Sequence, residues 1–476
     1  MKNRDILLDV IGDTDENLIP GLSAGKRKSR IVKWGFFAAC LCLAAVGAAV
    51  WMGSLRGGTT DNMLLVAAAY PEIPMYPVET DGSDGESQYY EWLAAKRALR
   101  DQPEDYKDGF NSFFLSSTRT FLTGSGDDNK IFSPLSLFMA LSMSAEISEG
   151  NTRRQILDVL SQNDMDSLRS HAKSIWQANY MDDGMAKCVL ATSLWTNSKI
   201  PYTRSTVDSL ADNYYASVYS GDPGSDEYNK LLRDWINGQT DGLLENFVSD
   251  IRMNPDTGLA LASTVNYSGK WKTKFSKAKT ESGIFHSPSG EIECDFMNDE
   301  RNISYYWGEK FTSVSMWLEN NGHMRLILPD EGIAPEDLIN DDEALAYMMN
   351  TGKYENVKYL IVNLSVPKFD ISSDMDLKEG LERLGITDAF DPVASDFSPL
   401  TKQADGVCVE SARQNTRVMI DEDGCKASSL TAMLTLGDGM PPDEHVDFIL
   451  DRPFLFEIVS DTGLPLFVGI VNNPIP

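Results

Sequence analysis

The chain has 476 residues, a length that predicts one large domain with appendages. Hydrophobic residues make up 42% and charged residues 24%, which is normal for a globular protein with a sizeable core. The net charge of −29 repels phosphate backbones, so we expect no nucleic-acid partner.

The first predicted element is an uncharged run of 22 residues from Trp34 to Leu55. As a helix it would be about 33 Å long, enough to cross a hydrocarbon core of roughly 30 Å. Basic residues are more frequent before this run than after it, where only Arg56 follows closely; those before it are Lys26, Arg27, Lys28, Arg30 and Lys33. The positive-inside rule then predicts a cytoplasmic tail (1–33), a single-pass transmembrane helix (34–55) and an extracellular remainder. The alternative is a cleaved signal segment and a secreted protein.

Residues 56–88 are rich in Gly, Pro, Asp and Ser, which predicts an extended, solvated linker. From residue 89 to residue 476 helical and strand-like segments follow one another without a second linker. We therefore expect a single domain over 89–476.

Within this domain, the almost wholly apolar stretch Leu135–Ala145 predicts a buried helix, with Ser133 as its N-cap and Pro134 in its first turn. A second helix is expected from Asn151 to Leu160, and a third over Asp376–Leu384. The predicted strands are Leu259–Tyr267, Met324–Leu328, Val357–Leu364, Arg417–Ile420, Phe454–Ser460 and Pro465–Val471. Early helices and many later strands, without regular βαβ alternation, indicate an α+β fold.

Enzyme and metal patterns are weak in this sequence. It has four histidines, none beside a recognisable nucleophile motif, and its cysteines form no CxxC pattern or Cys/His cluster. We therefore predict no catalytic residue, no metal site and no cofactor.

Several segments resemble the serpin family, in the same order and across nearly the whole of residues 90–476. They include NKIFSPLS at 129–136, EGNT at 149–152, SGKW at 268–271, VPKF at 366–369 and DRPFLF at 451–456. The resemblance implies the serpin fold: a large mixed β-sheet, two smaller sheets, about eight to nine helices and an exposed reactive-centre loop.

The resemblance also implies an inhibitor of serine-type or cysteine-type endopeptidases that acts as a suicide substrate. The target protease would cleave the loop and be held as a covalent acyl complex while the loop inserts into the large sheet as a new strand. Such an inhibitor is expected to be a monomer that needs no cofactor. The alternative is a serpin-fold protein that binds or supports other molecules without inhibiting proteases.

The resemblance places the hinge of the reactive loop just after a strand, at Glu422, Gly424, Cys425, Lys426, Ala427, Ser428, Ser429 and Thr431. The residues themselves suit strand insertion. No proline occurs from 424 to 440, and every second side chain from 425 to 435 is uncharged. Cys425 and Lys426 depart from the Thr or Ser and the Glu that the family usually has.

The family's spacing predicts the reactive bond between Asp438 and Gly439, with Leu436 and Met440 as alternatives. It also predicts a cluster that controls sheet opening, formed by Ser133, Ser136, Ser263, Gln414 and Trp271. Ser263 and Gln414 stand where the family typically has an asparagine and a histidine, and both can still form hydrogen bonds.

Overall fold

The computed structural model describes residues 62–77, 83–349, 354–404, 406–410, 412–425 and 444–475. The predicted cytoplasmic tail, the predicted transmembrane helix and the predicted reactive bond lie outside these residues. Within the described part of the chain, no helix has both the length and the apolar character needed to cross a bilayer.

Eleven α-helices lie in the described residues. In chain order they are α1 (Ser83–Arg100), α2 (Phe110–Leu122), α3 (Pro134–Ile147), α4 (Gly150–Val159), α5 (Met165–Asn179), α6 (Arg204–Tyr214), α7 (Asp226–Gln239), α8 (Glu245–Val248), α9 (Pro335–Ile339), α10 (Asp342–Met348) and α11 (Lys378–Leu384).

Seventeen strands lie in the same residues. In chain order they are β1 (Leu64–Val66), β2 (Lys130–Phe132), β3 (Met181–Asp182), β4 (Lys187–Asn197), β5 (Ala216–Gly221), β6 (Leu259–Lys270), β7 (Thr280–Ser287), β8 (Gly290–Trp307), β9 (Phe311–Trp317), β10 (His323–Pro329), β11 (Val357–Pro367), β12 (Phe369–Asp376), β13 (Arg413–Ile420), β14 (Gly424–Cys425), β15 (His445–Ile449), β16 (Phe454–Val459) and β17 (Pro465–Val471).

These strands form three sheets, and the α+β class predicted from the sequence is confirmed. One sheet has the order β1-β5-β4-β6-β14, with β3 paired to β4. A nine-stranded sheet has the order β15-β11-β8-β9-β10-β16-β17-β2, with β7 paired to β8, and β12 pairs with β13 alone. β4 and β5 run parallel while β4 and β6 run antiparallel, so the first sheet is mixed.

The predicted buried helix is α3, which packs beneath the first sheet. All of its residues except Ala140 are buried, as an apolar composition around the whole helix requires. It begins as predicted, because the Ser133 Oγ accepts a hydrogen bond from the Ser136 backbone N–H. Pro134 suits the first helical position because it has no backbone N–H that would be left unpaired there.

The segment predicted as a solvated linker (56–88) is in part folded onto the domain. Leu64–Val66 forms the edge strand β1 against β5, and α1 already begins at Ser83. The physical reason is that this Pro- and Gly-rich stretch also carries apolar and aromatic residues: Leu65, Val66 and Tyr70 pack against the core. The compact unit accordingly begins at Asn62 rather than at residue 89.

Candidate functional site

The candidate site is the cleft between β6 and β13, two strands that run in the same direction. β6 pairs with β4 along one edge, and β13 pairs with β12 along one edge. Between the two facing edges the described residues contain no ladder; the strands approach at a parallel bridge between Leu259 and Val409, just before β13. Unpaired N–H and C=O groups along such edges favour addition of a strand.

At the end of the cleft beside Lys270, the chain turns back after β13 and pairs with the open edge of β6. Gly424 pairs antiparallel with Lys270, and Cys425 pairs with Gly269. The turn that precedes them is closed by the Asp421 N–H, which donates to the Gly424 carbonyl oxygen over 3.2 Å. Gly424 and Cys425 thereby pair with the end of the open edge of β6.

Gly424 is required by this turn for two reasons. Its φ is +142°, in a region that side-chain-bearing residues rarely adopt. A Cβ on it would also lie 2.5 Å from the Gly269 carbonyl oxygen and 2.6 Å from the Lys270 Cα. The predicted hinge glycine therefore permits the backbones of the hinge and of β6 to approach each other.

The hinge is held by a buried carboxylate, that of Glu422. Its Oε1 accepts a 2.9 Å hydrogen bond from the Thr280 hydroxyl and lies 3.3 Å from the Lys368 Nζ. Burial opposes ionisation, but hydrogen bonds from its own backbone N–H and from Thr280, together with the Lys368 charge, hold the pKa of Glu422 below its usual value. Ionised Glu422 thus joins the hinge to the start of β7 and to the β11–β12 connection.

Trp271 and the residues after it support the same turn. The Trp271 indole N–H donates to the Asp421 carbonyl oxygen over 2.9 Å, and its backbone N–H donates to the Asp423 carbonyl oxygen over 3.1 Å. The Asp423 carboxylate lies 2.9 Å from the Lys274 Nζ and 3.5 Å from the Lys277 Nζ. These two cations lower the pKa of Asp423.

Four of the five residues predicted for the sheet-opening cluster are brought together halfway along the cleft. The Gln414 amide bonds both backbone groups of Ser133, accepting from its N–H over 2.7 Å and donating to its carbonyl over 3.0 Å. The hydroxyls of Ser136 and Ser263 are 2.8 Å apart, and the Ser133 Oγ donates to the Leu466 carbonyl over 2.7 Å. The cluster joins α3 to both β6 and β13.

The prediction that Trp271 belongs to this cluster is wrong. Trp271 follows the end of β6, eight residues beyond Ser263, which is about 26 Å along an extended strand. It contacts the hinge instead.

The two faces of β6 differ in what lies behind them. Ser263 is bonded to α3, so the residues at alternate positions from Leu259 to Tyr267 face the core. Beside Ser263 on this face, a cavity of about 60 Å³ is lined mainly by apolar residues of α3, β6 and α11, including Leu137, Leu261 and Leu381. On the opposite face, a cavity of about 530 Å³ lies between the α7–β6 segment and the strands, lined by residues such as Ile236, Leu244, Ala260 and Asn415.

Of the predicted hinge residues, Glu422, Gly424 and Cys425 are described. Lys426, Ala427, Ser428, Ser429 and Thr431 lie outside the described residues, and so do the predicted reactive bond Asp438–Gly439 and the alternatives Leu436 and Met440. In the described residues, no group of three or more His, Cys, Asp or Glu side chains is arranged to hold a metal ion.

The model of the family described as serpin (serine protease inhibitor) matches residues 108–474. The chain belongs to the serpin family. The predicted serpin fold is thereby confirmed, and serpins are typically protease inhibitors, although some do not inhibit.

Individual serpins match across most of their own length. The chain is 26% identical to alpha-1-antiproteinase of Mus saxicola over 424 residues, which is 87% of this chain and 98% of that protein. It is 26% identical to serpin-ZX of Arabidopsis thaliana over 370 residues, 74% of this chain and 94% of that protein. The crystal structure of the thermophilic serpin tengpin in its native state has the same fold, with a TM-score of 0.69 at 24% identity over 86% of this chain and 100% of that chain.

Sequence reasoning missed the residues that hold the hinge, namely Thr280, Lys274, Lys277 and Lys368. Lys368 lies inside the VPKF motif that carried the resemblance to serpins, but a strand motif gives no sign of which distant carboxylate its lysine contacts. Thr280 and the two other lysines lie 142 to 149 residues from their partners along the chain, and nothing local in the sequence marks them.

Proposed function

We propose that this serpin inhibits serine-type or cysteine-type endopeptidases as a suicide substrate whose cleaved loop enters the cleft between β6 and β13. The observation that supports the proposal is the antiparallel pairing of Gly424 with Lys270 and of Cys425 with Gly269 beside an open strand edge. An antiparallel strand that continues from this start keeps one register, because each further residue meets the preceding residue of β6.

That register assigns a partner to each inserting residue. Thr431 comes opposite Ser263, Ala427 opposite Tyr267 and Met433 opposite Leu261. Residues that lie opposite each other on paired strands point to the same face. The uncharged side chains at odd positions from 425 to 435 therefore face the core, and Lys426 faces outward.

The length of β6 matches the length of the inserting segment. From Gly269 to Leu259 the strand offers eleven positions, which pair with residues 425–435. About ten new ladder bonds of about 1 kcal/mol each would release on the order of 10 kcal/mol. That release drives insertion after cleavage and deforms the attached protease before the acyl bond is hydrolysed.

The protease is held through an acyl bond to the residue before the cut, and the proposed bond is Asp438–Gly439, with Leu436 and Met440 as alternative positions. No cofactor enters the mechanism. The inhibitor acts as a monomer.

The inhibitory domain is displayed outside the cell by residues 34–55 as a single membrane-spanning helix. The uncharged run and the basic residues before it support this assignment. In intact cells, an antibody to the domain should bind without permeabilisation, and the chain should stay in the membrane fraction after alkaline washing. A soluble product that lacks the first 50 or so residues would support the secreted alternative instead.

The experiment that tests inhibition incubates the full-length chain, in detergent, with a panel of serine and cysteine proteases. Inhibition predicts a complex that survives denaturation and has the combined mass of protease and cleaved inhibitor. Mass spectrometry of the released C-terminal fragment then identifies the reactive bond. Cleavage of the loop by every protease, with no trapped complex and no increase in Tm, would favour the non-inhibitory alternative.

A further inference from the structure

The cavity on the outward face of β6 is large enough to hold a small molecule. Its volume is about 530 Å³, and small-molecule sites in proteins commonly occupy about 300–1,000 Å³. Its floor is β6, its roof is formed by α7 and the segment 250–257, and β13 borders it on the side of the cleft. We call this cavity the α7 pocket.

The α7 pocket has an apolar interior because small side chains on its floor lie below larger ones on its roof. Ser263 is bonded to α3, so alternation along the strand turns Ala260 and Ala262 to the opposite face. Both alanines line the pocket. So do Leu232 and Ile236, which share one face of α7 because they are four residues apart.

Hydrogen bonds hold the roof of the α7 pocket in place. The Met253 backbone N–H donates to the Asn229 Oδ1 over 2.7 Å, and the Arg233 Nη1 donates to the Ile251 carbonyl oxygen over 3.0 Å. Both bonds join the segment 250–257 to α7. The pocket is therefore formed by the protein itself, without a ligand to support it.

The charged side chains of the α7 pocket leave an excess of negative charge. Those that line it are Asp250, Arg252, Asp374, Glu410 and Arg413. The Arg413 Nε donates to the Asp374 carboxylate over 3.1 Å, and Arg252 is in direct contact with Asp226. The charges of both guanidinium groups are thus balanced by carboxylates.

The carboxylates of Asp250 and Glu410 are left without a cation, since neither forms an ion pair with another described residue. Glu410 accepts a 3.1 Å hydrogen bond from the neutral Thr257 hydroxyl, which fixes the position of its carboxylate without cancelling the charge. The net charge of −29 adds to the negative potential at this place. A cation is therefore the favoured charge for a ligand of this pocket.

We propose that the α7 pocket binds a small amphipathic cation, with an apolar aromatic or alkyl body that carries one protonated amine. The apolar body would lie between Ala262 and Ile236, and the ammonium group would lie beside Glu410. Removal of the apolar body from water provides affinity, and the carboxylate selects the charge. An anion of the same shape would meet a carboxylate of like charge and bind weakly.

Occupation of the α7 pocket has a consequence for inhibition, and this consequence rests on the proposed function. A strand inserted beside β6 would direct every second side chain to the outward face, into the space next to Ala260 and Ala262. A cation bound in that space would slow insertion and increase the fraction of inhibitor that is cleaved without trapping the protease. Binding itself does not depend on the proposed function and is measured separately.

The test uses the full-length chain in nanodiscs of zwitterionic lipid and two probes of the same shape, phenylbutylammonium and phenylbutanoate. Saturation-transfer NMR and calorimetry measure binding at neutral pH, and the signal from empty nanodiscs is subtracted. Ala262→Phe fills the pocket, whereas Glu410→Gln removes the charge and keeps the shape. Ala94→Phe and Glu331→Gln are the matched controls, since both residues are exposed and lie outside the pocket.

We expect wild type and both controls to bind the cation about tenfold more tightly than the anion. Ala262→Phe should weaken binding of the cation by about tenfold or more, because the added ring takes the place of the apolar body. Glu410→Gln should reduce the preference for the cation severalfold. Binding of neither probe, equal binding of both, or a cation affinity that Ala262→Phe leaves unchanged would each overturn the site. If Ala262→Phe does not fold, the preference measured with Glu410→Gln decides.

The second measurement adds the cation to wild type and to a protease that wild type traps. An unchanged ratio of trapped to cleaved inhibitor, at a concentration where the cation is bound, would overturn the consequence for insertion and leave the site itself supported. Failure of the proposed function is distinguishable, because cleavage of the loop would then raise no Tm even when the cation is absent.

Discussion

The Glu422 carboxylate lies 3.3 Å from the Lys368 ammonium, just beyond the paired ends of β12 and β13, where Phe369 pairs with Ile420. Glu422 is buried at the point where the chain leaves β13 for the reactive loop, and Lys368 connects β11 to β12. This pair therefore fixes the root of the loop while leaving the cleft beside it open. A serpin that inserts its reactive loop only after cleavage needs a stable attachment point for that loop. This point must not itself be hydrogen-bonded into the sheet.

The first prediction concerns the pH dependence of this root. The pKa of Glu422 is lowered from its ordinary value of 4.5, so its ionised form stabilises the uncleaved protein above that value. The contribution is lost as the pH falls through the lower, folded pKa. Lys368→Met should lower the free energy of unfolding by about 2 kcal/mol at pH 7, because a charged partner of a buried carboxylate is removed, and should flatten the pH dependence of Tm below pH 4.5.

Lys358→Met is the control for this prediction, since Lys358 pairs with Glu444 where both side chains are more than half exposed. Exposed pairs contribute about 0–1 kcal/mol. Equal losses of Tm from the two variants would contradict the role assigned to Lys368.

The second prediction concerns Gly424. Gly424→Ala should prevent the hinge from pairing with β6, because the added methyl group meets backbone atoms of Gly269 and Lys270. We expect a loss of about 1–3 kcal/mol in the stability of the uncleaved protein, measured by thermal unfolding. Gly290→Ala is a matched control with a φ of +130° and no atom within 4 Å of the new methyl group, and it should lose clearly less.

The third prediction concerns the cluster halfway along the cleft. Gln414→Met keeps the approximate shape of the side chain but leaves the Ser133 N–H without a partner in a buried position, while the Ser133 carbonyl keeps the Leu137 N–H as donor. The loss should cost about 1–3 kcal/mol in the uncleaved state. Denaturant unfolding measures the loss. Gln403→Met, on an exposed side chain, should change the stability by less than about 0.5 kcal/mol.

Much of the fold could be predicted because its signals are local. The apolar stretch of α3 marked a helix buried on all sides, and Ser133-Pro134 marked its start. The serpin motifs define the positions of Ser136, Ser263 and Gln414 along the chain, and the structure brings their side chains to the same part of the cleft.

The rest depended on contacts that the sequence does not encode locally. Trp271 follows β6 closely in sequence, but strand length places it at the end of the cleft, far from Ser263. The sequence does not predict strand β1, because three residues are too few to show the alternation of a β-strand. Its strand conformation depends on pairing with the edge of β5, and Tyr70 nearby packs against the rings of Trp176 and Tyr180.

The last prediction tests the register of insertion. Ala427 would come opposite Tyr267 on the core face of the new strand, so Ala427→Arg would bury an unpaired charge there at a cost of several kcal/mol. Ser428 would come opposite Asn266 on the outward face, where the Asn266 side chain donates to the Asp241 carboxylate, so Ser428→Arg meets an acidic group instead. We expect Ala427→Arg to be cleaved as a substrate, without a trapped complex and without the increase in Tm, while its uncleaved fold is unchanged. Ser428→Arg should still trap the protease, and the ratio of trapped to cleaved inhibitor on a denaturing gel separates the two. A reversed result would show that the loop inserts with its faces exchanged, one residue out of the register set by Gly424 and Lys270.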